Sequence, residues 1–235
     1  MRKLSYNRIL LKLSGEVFGK ARQGIDSVKI KQVVVELKAA KKLGVEIAIV
    51  VGGGNWWRKR DGDKQISDLF SDYMGMLGTV LNGLALADYL NKVGVKTELQ
   101  SYLVSVPGIA KTSAKQACLS LQRGKVVIFA GGTGKPFVTT DTAAALRARD
   151  IKAHAIFKVG LTDAVYSADP DKNKSVNRFK ILSFKQAIKK HLGIMDLGAY
   201  KICQQAKIPV LVFKWGKGSL LKVLAGKFNG TVINS

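Results

Sequence analysis

The sequence predicts an α/β fold, a largely parallel sheet covered by helices on both faces, and three observations carry that expectation. Short apolar runs recur along the chain, continuous enough to be strands buried on both faces. Stretches of helical periodicity separate them almost from end to end. Glycine-containing turns punctuate the boundaries, and the resulting strand–helix–strand rhythm is that of right-handed parallel crossovers.

Taken in order, Arg8–Leu13 reads as a strand followed by a loop through Gly24. Ile30, Val33, Val34, Leu37 and Ala40 then share one face of a helix, with Asp26 or Ser27 as its N-cap and Gly44 closing it. Residues 45–51 form a fully buried strand, 66–92 a long helix ending before Gly94, and 95–101 a strand. A helix over 113–123, a strand over 125–131, a helix from about Asp141 and a strand over 153–158 follow. Beyond Lys158 a polar loop over 160–178 breaks the rhythm. Helices over 183–190 and 196–206, a strand at 210–213, a short helix and a last strand near 231–233 complete it.

The 235 residues, 47% of them hydrophobic, can bury a substantial core and exclude disorder. No repeat, linker or low-complexity segment divides them, so one domain over 1–235 is expected. The apolar runs fall far short of the roughly 20 residues of a membrane helix. Lys12 interrupts the apolar part of the basic N-terminus, which therefore does not read as a signal peptide, and a cytoplasmic protein is expected. Cys118 and Cys203 lie in helical stretches without a CxxC or Cys/His pattern, so they read as reduced, mostly buried thiols and no protein metal site is expected. The net charge of +23 attracts polyanions, and residues 171–190 carry seven Lys/Arg against one Asp. No aromatic-interleaved basic stripe accompanies it, so nucleic acid is expected only as a non-specific polyanion.

In parallel α/β sheets ligands bind beyond the carboxyl ends of the strands, which selects loops 12–15, 52–58, 131–141 and 158–169. Gly52, Gly53 and Gly54 follow a buried strand and can present backbone N–H groups to an anion, or simply make a tight turn. Arg58 just beyond them can clamp phosphate with its planar fork. There is no GxxxxGK[ST] and no GxGxxG after the first strand, so any nucleotide is bound by another scheme. The second glycine-rich element, 131–141, offers hydroxyls, amides and a terminal Asp141, any of Thr139, Thr140 or Asp141 being able to cap the next helix. Lys12 and Lys158 stand at two strand ends, where positive charge suits phosphoryl transfer. His154 and His191 belong to no triad or metal cluster, and neither GxSxG nor HExxH occurs. Phosphate cradles and lysines without proton-transfer machinery suit a kinase whose acceptor is already an oxyanion.

KLSGE (12–16), GGGNWWR (52–58), DYMGMLGTVLNGLAL (72–86), GTGKPFVTTD (132–141), DAVYSADP (163–170) and MDLGA (195–199) resemble, in order and spacing, the signatures of bacterial UMP kinases of the amino-acid-kinase family. The resemblance runs from about residue 6 to the C-terminus. It implies a three-layer αβα sandwich around a mainly parallel sheet, transfer from ATP carried with Mg²⁺ to UMP in pyrimidine nucleotide synthesis, and a homohexamer built from dimers. By position it implies catalytic roles for Lys12, Asp141 and Lys158. It implies ATP contacts for Lys12, Leu13, Ser14, Gly15, Gly54, Arg58, Gly160, Tyr166 and Asp169. UMP contacts fall on Gly53 and Asp72 and on Thr133, Gly134, Lys135, Pro136, Phe137, Val138, Thr139 and Thr140. Elements 52–141 thus serve mainly UMP, and 12–15 with 158–215 mainly ATP.

The chain departs from the pattern at Leu161, where a lysine is common, at Ala164, where a glycine is common, and at Lys135, where an uncharged polar residue is common. Segment 20–24 is shorter and more basic than the one that takes part in GTP activation in some relatives, so that response is not expected. Two other readings stand beside the main one: a different acid kinase of the same fold, and a non-catalytic regulator that binds nucleotide or nucleic acid.

Overall fold

Buried strands need helices on both sides, and the computed structural model of the chain meets that need with two cores on either face of one sheet. It describes residues 5–59, 65–104, 106–160, 162–168 and 175–235. In chain order these form β1 (Arg8–Leu13), a 3₁₀ turn (Gly15–Val17), α1 (Ser27–Lys41), β2 (Glu46–Val51), α2 (Asp68–Lys92), β3 (Thr97–Ser101) and β4 (Ala110–Lys111). Next come α3 (Ala114–Gln122), β5 (Val126–Ala130), α4 (Thr140–Asp150), β6 (Ala155–Gly160), β7 (Val165–Tyr166), β8 (Arg178–Phe179) and β9 (Ile181–Ser183). The chain ends with α5 (Phe184–Lys189), α6 (Leu197–Ala206), β10 (Val210–Lys214), α7 (Ser219–Leu224) and β11 (Thr231–Asn234).

Among the described residues nine strands join in the order β4-β3-β5-β2-β1-β6-β10-β11-β9, parallel except where β10 meets β11. The strand β1 lies at the centre, paired with β2 on one side and β6 on the other. That register sets Lys12 beside Lys158. Side chains alternate across the sheet. Ile9, Leu11 and Leu13 enter the core formed with α1, α2 and α7. Leu10 enters the opposite core, formed with α3, α4, α5 and α6. Lys12 and Lys158 continue the second set, two residues beyond Leu10 and Ile156, and emerge on the α4 face at the carboxyl edge.

Local chemistry explains the boundaries. Asp26 rather than Ser27 caps α1, its side chain accepting from the N–H groups of Val28 and Lys29. The long helix starts at Asp68, two residues later than the periodicity predicts, with Ser67 as its cap. The glycine run 52–54 leads into a turn and not directly into a helix. The strands β4, β7, β8 and β9 have only two or three residues each, too few for an alternation to be read in sequence. Cys203 is buried and Cys118 half-buried, both in helices; burial pushes the Cys203 thiol up to about 12 and keeps it protonated. No described helix is long and apolar enough to cross a membrane.

Candidate active site

At the carboxyl edge of the two central strands, one carboxylate joins two ammonium groups. Asp141 Oδ1 lies 2.9 Å from Lys12 Nζ and 2.6 Å from Lys158 Nζ. Asp141 comes from the first turn of α4, whose inward face is Ala143, Ala144, Ala145 and Ala148. Such small side chains let the helix approach the sheet closely enough for a short aspartate to reach both lysines. Burial pulls Lys158 down, the neighbouring Lys12 charge adds to this and Asp141 opposes it, leaving a value of about 8. Burial alone raises the Asp141 pKa, but the two lysines outweigh it and hold the carboxyl below its usual range.

The helix α4 is itself held. Its N-cap, Thr139, accepts from the N–H groups of Asp141 and Thr142 and donates its hydroxyl to Asp196, the N-cap of α6. Asp196 also accepts from the Thr142 hydroxyl at 2.7 Å and from the Ala199 N–H at 2.9 Å. This tie from the 195–199 segment to the lysine-binding aspartate is a positioning contact that sequence reading did not assign.

The glycine loops are packed backbone to backbone. A side chain at Gly15 would stand 2.4 Å from the Gly54 nitrogen, and one at Gly53 would stand 2.4 Å from the Gly75 oxygen on α2. The Gly52 N–H donates to the Leu13 carbonyl at 2.7 Å. One face of α2 organises these contacts. Asn82, fully buried, donates to the Gly52 carbonyl at 2.7 Å and to Asn55 Oδ1 at 2.8 Å. It accepts from Asn55 Nδ2 at 3.0 Å and from the Trp56 indole at 2.9 Å, so all four of its hydrogen-bonding positions are used. One turn earlier, Thr79 Oγ1 accepts from the Gly131 N–H at 2.6 Å and fixes the second glycine-rich element. Near the start of α2, Asp72 Oδ2 accepts from the Phe137 N–H at 2.7 Å. Residues 72, 75, 79 and 82 recur at helical spacing. Sequence reading picked out only Asp72 among them, because the others pass for ordinary helix residues until their partners, 22 to 52 positions away, are known.

Two cavities open at the carboxyl edge of the sheet, the second lined by both lysines. One lies over α2, lined by Gly53, Gly54, Asp72, Gly75, Lys135 and Thr140, with Lys59 and Val138 at its edge. The other is lined by Lys12, Ser14, Glu16, Lys158, Gly160 and Thr162, with Gly193, Ile194 and Val212 behind them. The Ser14 hydroxyl, buried beside the second cavity, has no hydrogen-bond partner among the described residues.

The sequence-predicted residues distribute unevenly around these cavities. Gly53, Gly54, Asp72, Lys135, Val138 and Thr140 line the first; Lys12, Ser14, Lys158 and Gly160 line the second. Gly15 sits between the two loops as a close-packed spacer. Leu13 is wholly buried in the core. Arg58 is paired with Glu16 and bonded to the Gly54 carbonyl at 3.1 Å, so its guanidinium braces one loop against the other. Thr133, Gly134, Pro136 and Phe137 belong to the loop outside the first cavity, Phe137 in left-handed conformation at φ 62° and Thr139 serving as the cap described above. Tyr166 lies on the β7–β8 ribbon with its hydroxyl donating to Asp163 at 2.9 Å, away from the lining of the second cavity. Buried Ala164 lies just before that ribbon. Asp169 and Leu161 lie outside the described residues.

Residues 7–214 match the model of the amino acid kinase family. The structure is similar to that of the UMP kinase from Bacillus anthracis, with a TM-score of 0.92 and 30% identity over 97% of this chain and 96% of that one. It is similar to the UMP kinase from Ureaplasma parvum, with a TM-score of 0.91 and 31% identity over 100% of both chains. The uridylate kinase from Archaeoglobus fulgidus gives a TM-score of 0.74 and 28% identity over 96% of this chain and 99% of that one.

Lysine-selective NMR of the ligand-free protein should show Lys158 titrating near 8, charged at pH 7 and mostly neutral one unit or so above that midpoint. Asp141→Asn removes the charge that raises its pKa and should move the midpoint further down; an unmoved midpoint contradicts the coupling. Asn82→Ala strands the Gly52 carbonyl and Asn55 Oδ1 and should cost about 2–6 kcal/mol, at about 1–3 kcal/mol per buried orphan. Denaturant unfolding checks this, and a loss below about 0.5 kcal/mol contradicts the locking role.

Proposed function

Because the chain belongs to the amino acid kinase family, we propose that it transfers the γ-phosphoryl group of ATP to the 5′-phosphate of UMP, forming UDP and ADP in pyrimidine nucleotide synthesis. The observation that carries this reading is the Lys12–Asp141–Lys158 group, whose two lysines line the second cavity, while Thr140, next to Asp141, lines the first. The first takes the acceptor and the second the donor. The acceptor phosphate is already an oxyanion, so the attack needs positioning and charge stabilisation and no base. Lys12 and Lys158 offset the negative charge that accumulates as the phosphoryl group crosses between the cavities. Asp141 holds both ammonium groups in place and keeps their mutual repulsion from separating them. The free Ser14 hydroxyl and the backbone amides of the Gly15 turn face the donor phosphates, while Gly53 approaches the acceptor phosphate without a side chain in the way.

Asp72 has its second carboxylate oxygen available for the ribose hydroxyls, and the segment from Lys135 to Thr140 borders the base, where backbone and hydroxyl geometry can favour a pyrimidine. Gly160, with Thr162, Ile194 and Val212, forms the wall for the adenosine end. Mg²⁺ enters with ATP and neutralises phosphate charge. The donor phosphate oxygens would hold it. The enzyme works in the cytoplasm as a homohexamer built from dimers. The dimer face is the outward stripe of α2, where Phe70, Met74, Leu77, Leu81 and Leu84 are exposed at alternating spacings of four and three.

A coupled assay should show UDP formation from UMP, with CMP and carboxylate acceptors far poorer; preference for a carboxylate overturns the assignment. Lys12→Ala should lower kcat by about 10²–10³, the scale of losing one preorganised charge contact, and a value within about threefold of wild type contradicts its role. Sedimentation should give about six times the 25.5 kDa chain mass. Leu77→Asp with Leu81→Asp should reduce it by adding charge to the stripe, and a wild-type monomer at micromolar concentration contradicts the assembly.

A further inference from the structure

The site described above uses two lysines and leaves most of the +23 charge unassigned. At the opposite, amino-terminal edge of the sheet, α1, α2 and α3 end side by side and turn into β2, β3 and β5. A concavity between these turns is lined by Lys38, Lys41, Lys42, Lys96 and Arg123, with no carboxylate in its wall. The acidic residues nearby are already engaged: Glu46 by Arg8, Asp88 by Lys92 and Glu98 by Lys125. Lys41 is tethered, its ammonium donating to the Val45 carbonyl at 3.0 Å. Burial lowers its pKa and the Glu46 charge only partly offsets this.

Basic residues are common at helix C-termini because each end carries about half a negative charge. Three such ends supply about −1.5 in all, so five cations leave an uncompensated charge of about +3.5 in one concavity. No aromatic side chain lines the wall, so it offers nothing for a base to stack on and can recognise a ligand only by its charge. A stiff duplex bridges a concavity, whereas a single strand bends into it.

We propose that this concavity docks the phosphate backbone of single-stranded nucleic acid without regard to sequence. It goes beyond the kinase reading and does not depend on it. Strands of five or six residues, about 17–20 Å, separate this edge from the lysine–aspartate group. Both ends of the sheet can therefore be occupied at once.

The test is fluorescence anisotropy with a labelled mixed-sequence RNA of about 20 nucleotides, read between about 50 and 200 mM salt on the full chain. The variant Lys38→Glu/Lys42→Glu/Lys96→Glu is compared with Lys185→Glu/Lys189→Glu/Lys201→Glu, exposed lysines on other helices that carry the same charge change. The first should weaken binding at least about tenfold more than the second and flatten the log–log salt slope by about 2, at about 0.7 for each phosphate no longer engaged. UDP formation should be unchanged in both. The milder pair Lys42→Gln and Lys96→Gln repeats the comparison should the triple variant fail to fold. Equal weakening in both sets, no measurable binding by the wild type, or polyglutamate competing as well as unlabelled RNA each overturn the proposal.

Discussion

Everything at the carboxyl edge of this sheet depends on one carboxylate shared between two ammonium groups. The parallel pairing of β1 with β6 forces Lys12 and Lys158 into neighbouring positions, and two like charges so placed, largely removed from water, repel. Asp141 makes the arrangement tolerable, and several other features serve to deliver it. The alanine face of α4 permits the close approach, Thr139 fixes the start of that helix, and Asp196 of α6 fixes Thr139. A stretch of chain more than fifty residues away thus sets the position of the carboxylate.

The helix α2 plays a corresponding part for the glycine-bearing loops. Its inward face supplies Asp72, Thr79 and Asn82, each bonded to a different glycine-bearing loop, while its outward face presents an apolar stripe to solvent. The contacts that fix the glycine-bearing loops and the exposed apolar stripe therefore share a single helix. Anything that bound the outward stripe would act on the same rod that carries Asp72.

Much of the fold could be read from the residues because buried parallel strands are continuous apolar runs and their caps are explicit, as at Asp26 and Gly44. The two lysines were equally visible, since each breaks an apolar run near its end, Lys12 one residue and Lys158 two residues before its strand stops. What could not be read depends on pairing across long sequence distances. Asn82 in isolation is an indifferent helix residue, and only the loop containing Asn55 shows why it stands there. Arg58 reads as a phosphate clamp until Glu16, across the gap between two loops, is seen to hold it. Tyr166, placed by motif near the donor, faces Asp163 on a ribbon too short to leave any periodic trace.

The close packing of Gly15 against Gly54, and of Gly53 against α2, bears on how such an enzyme can diversify. Neither Gly15 nor Gly53 admits a side chain without displacing main chain, and the loops 12–15 and 52–58 touch each other at that point. Neither loop can drift alone, so room for variation lies at the rim, where Lys59, Lys135 and Phe137 stand and where a substitution leaves the contact between the two loops in place.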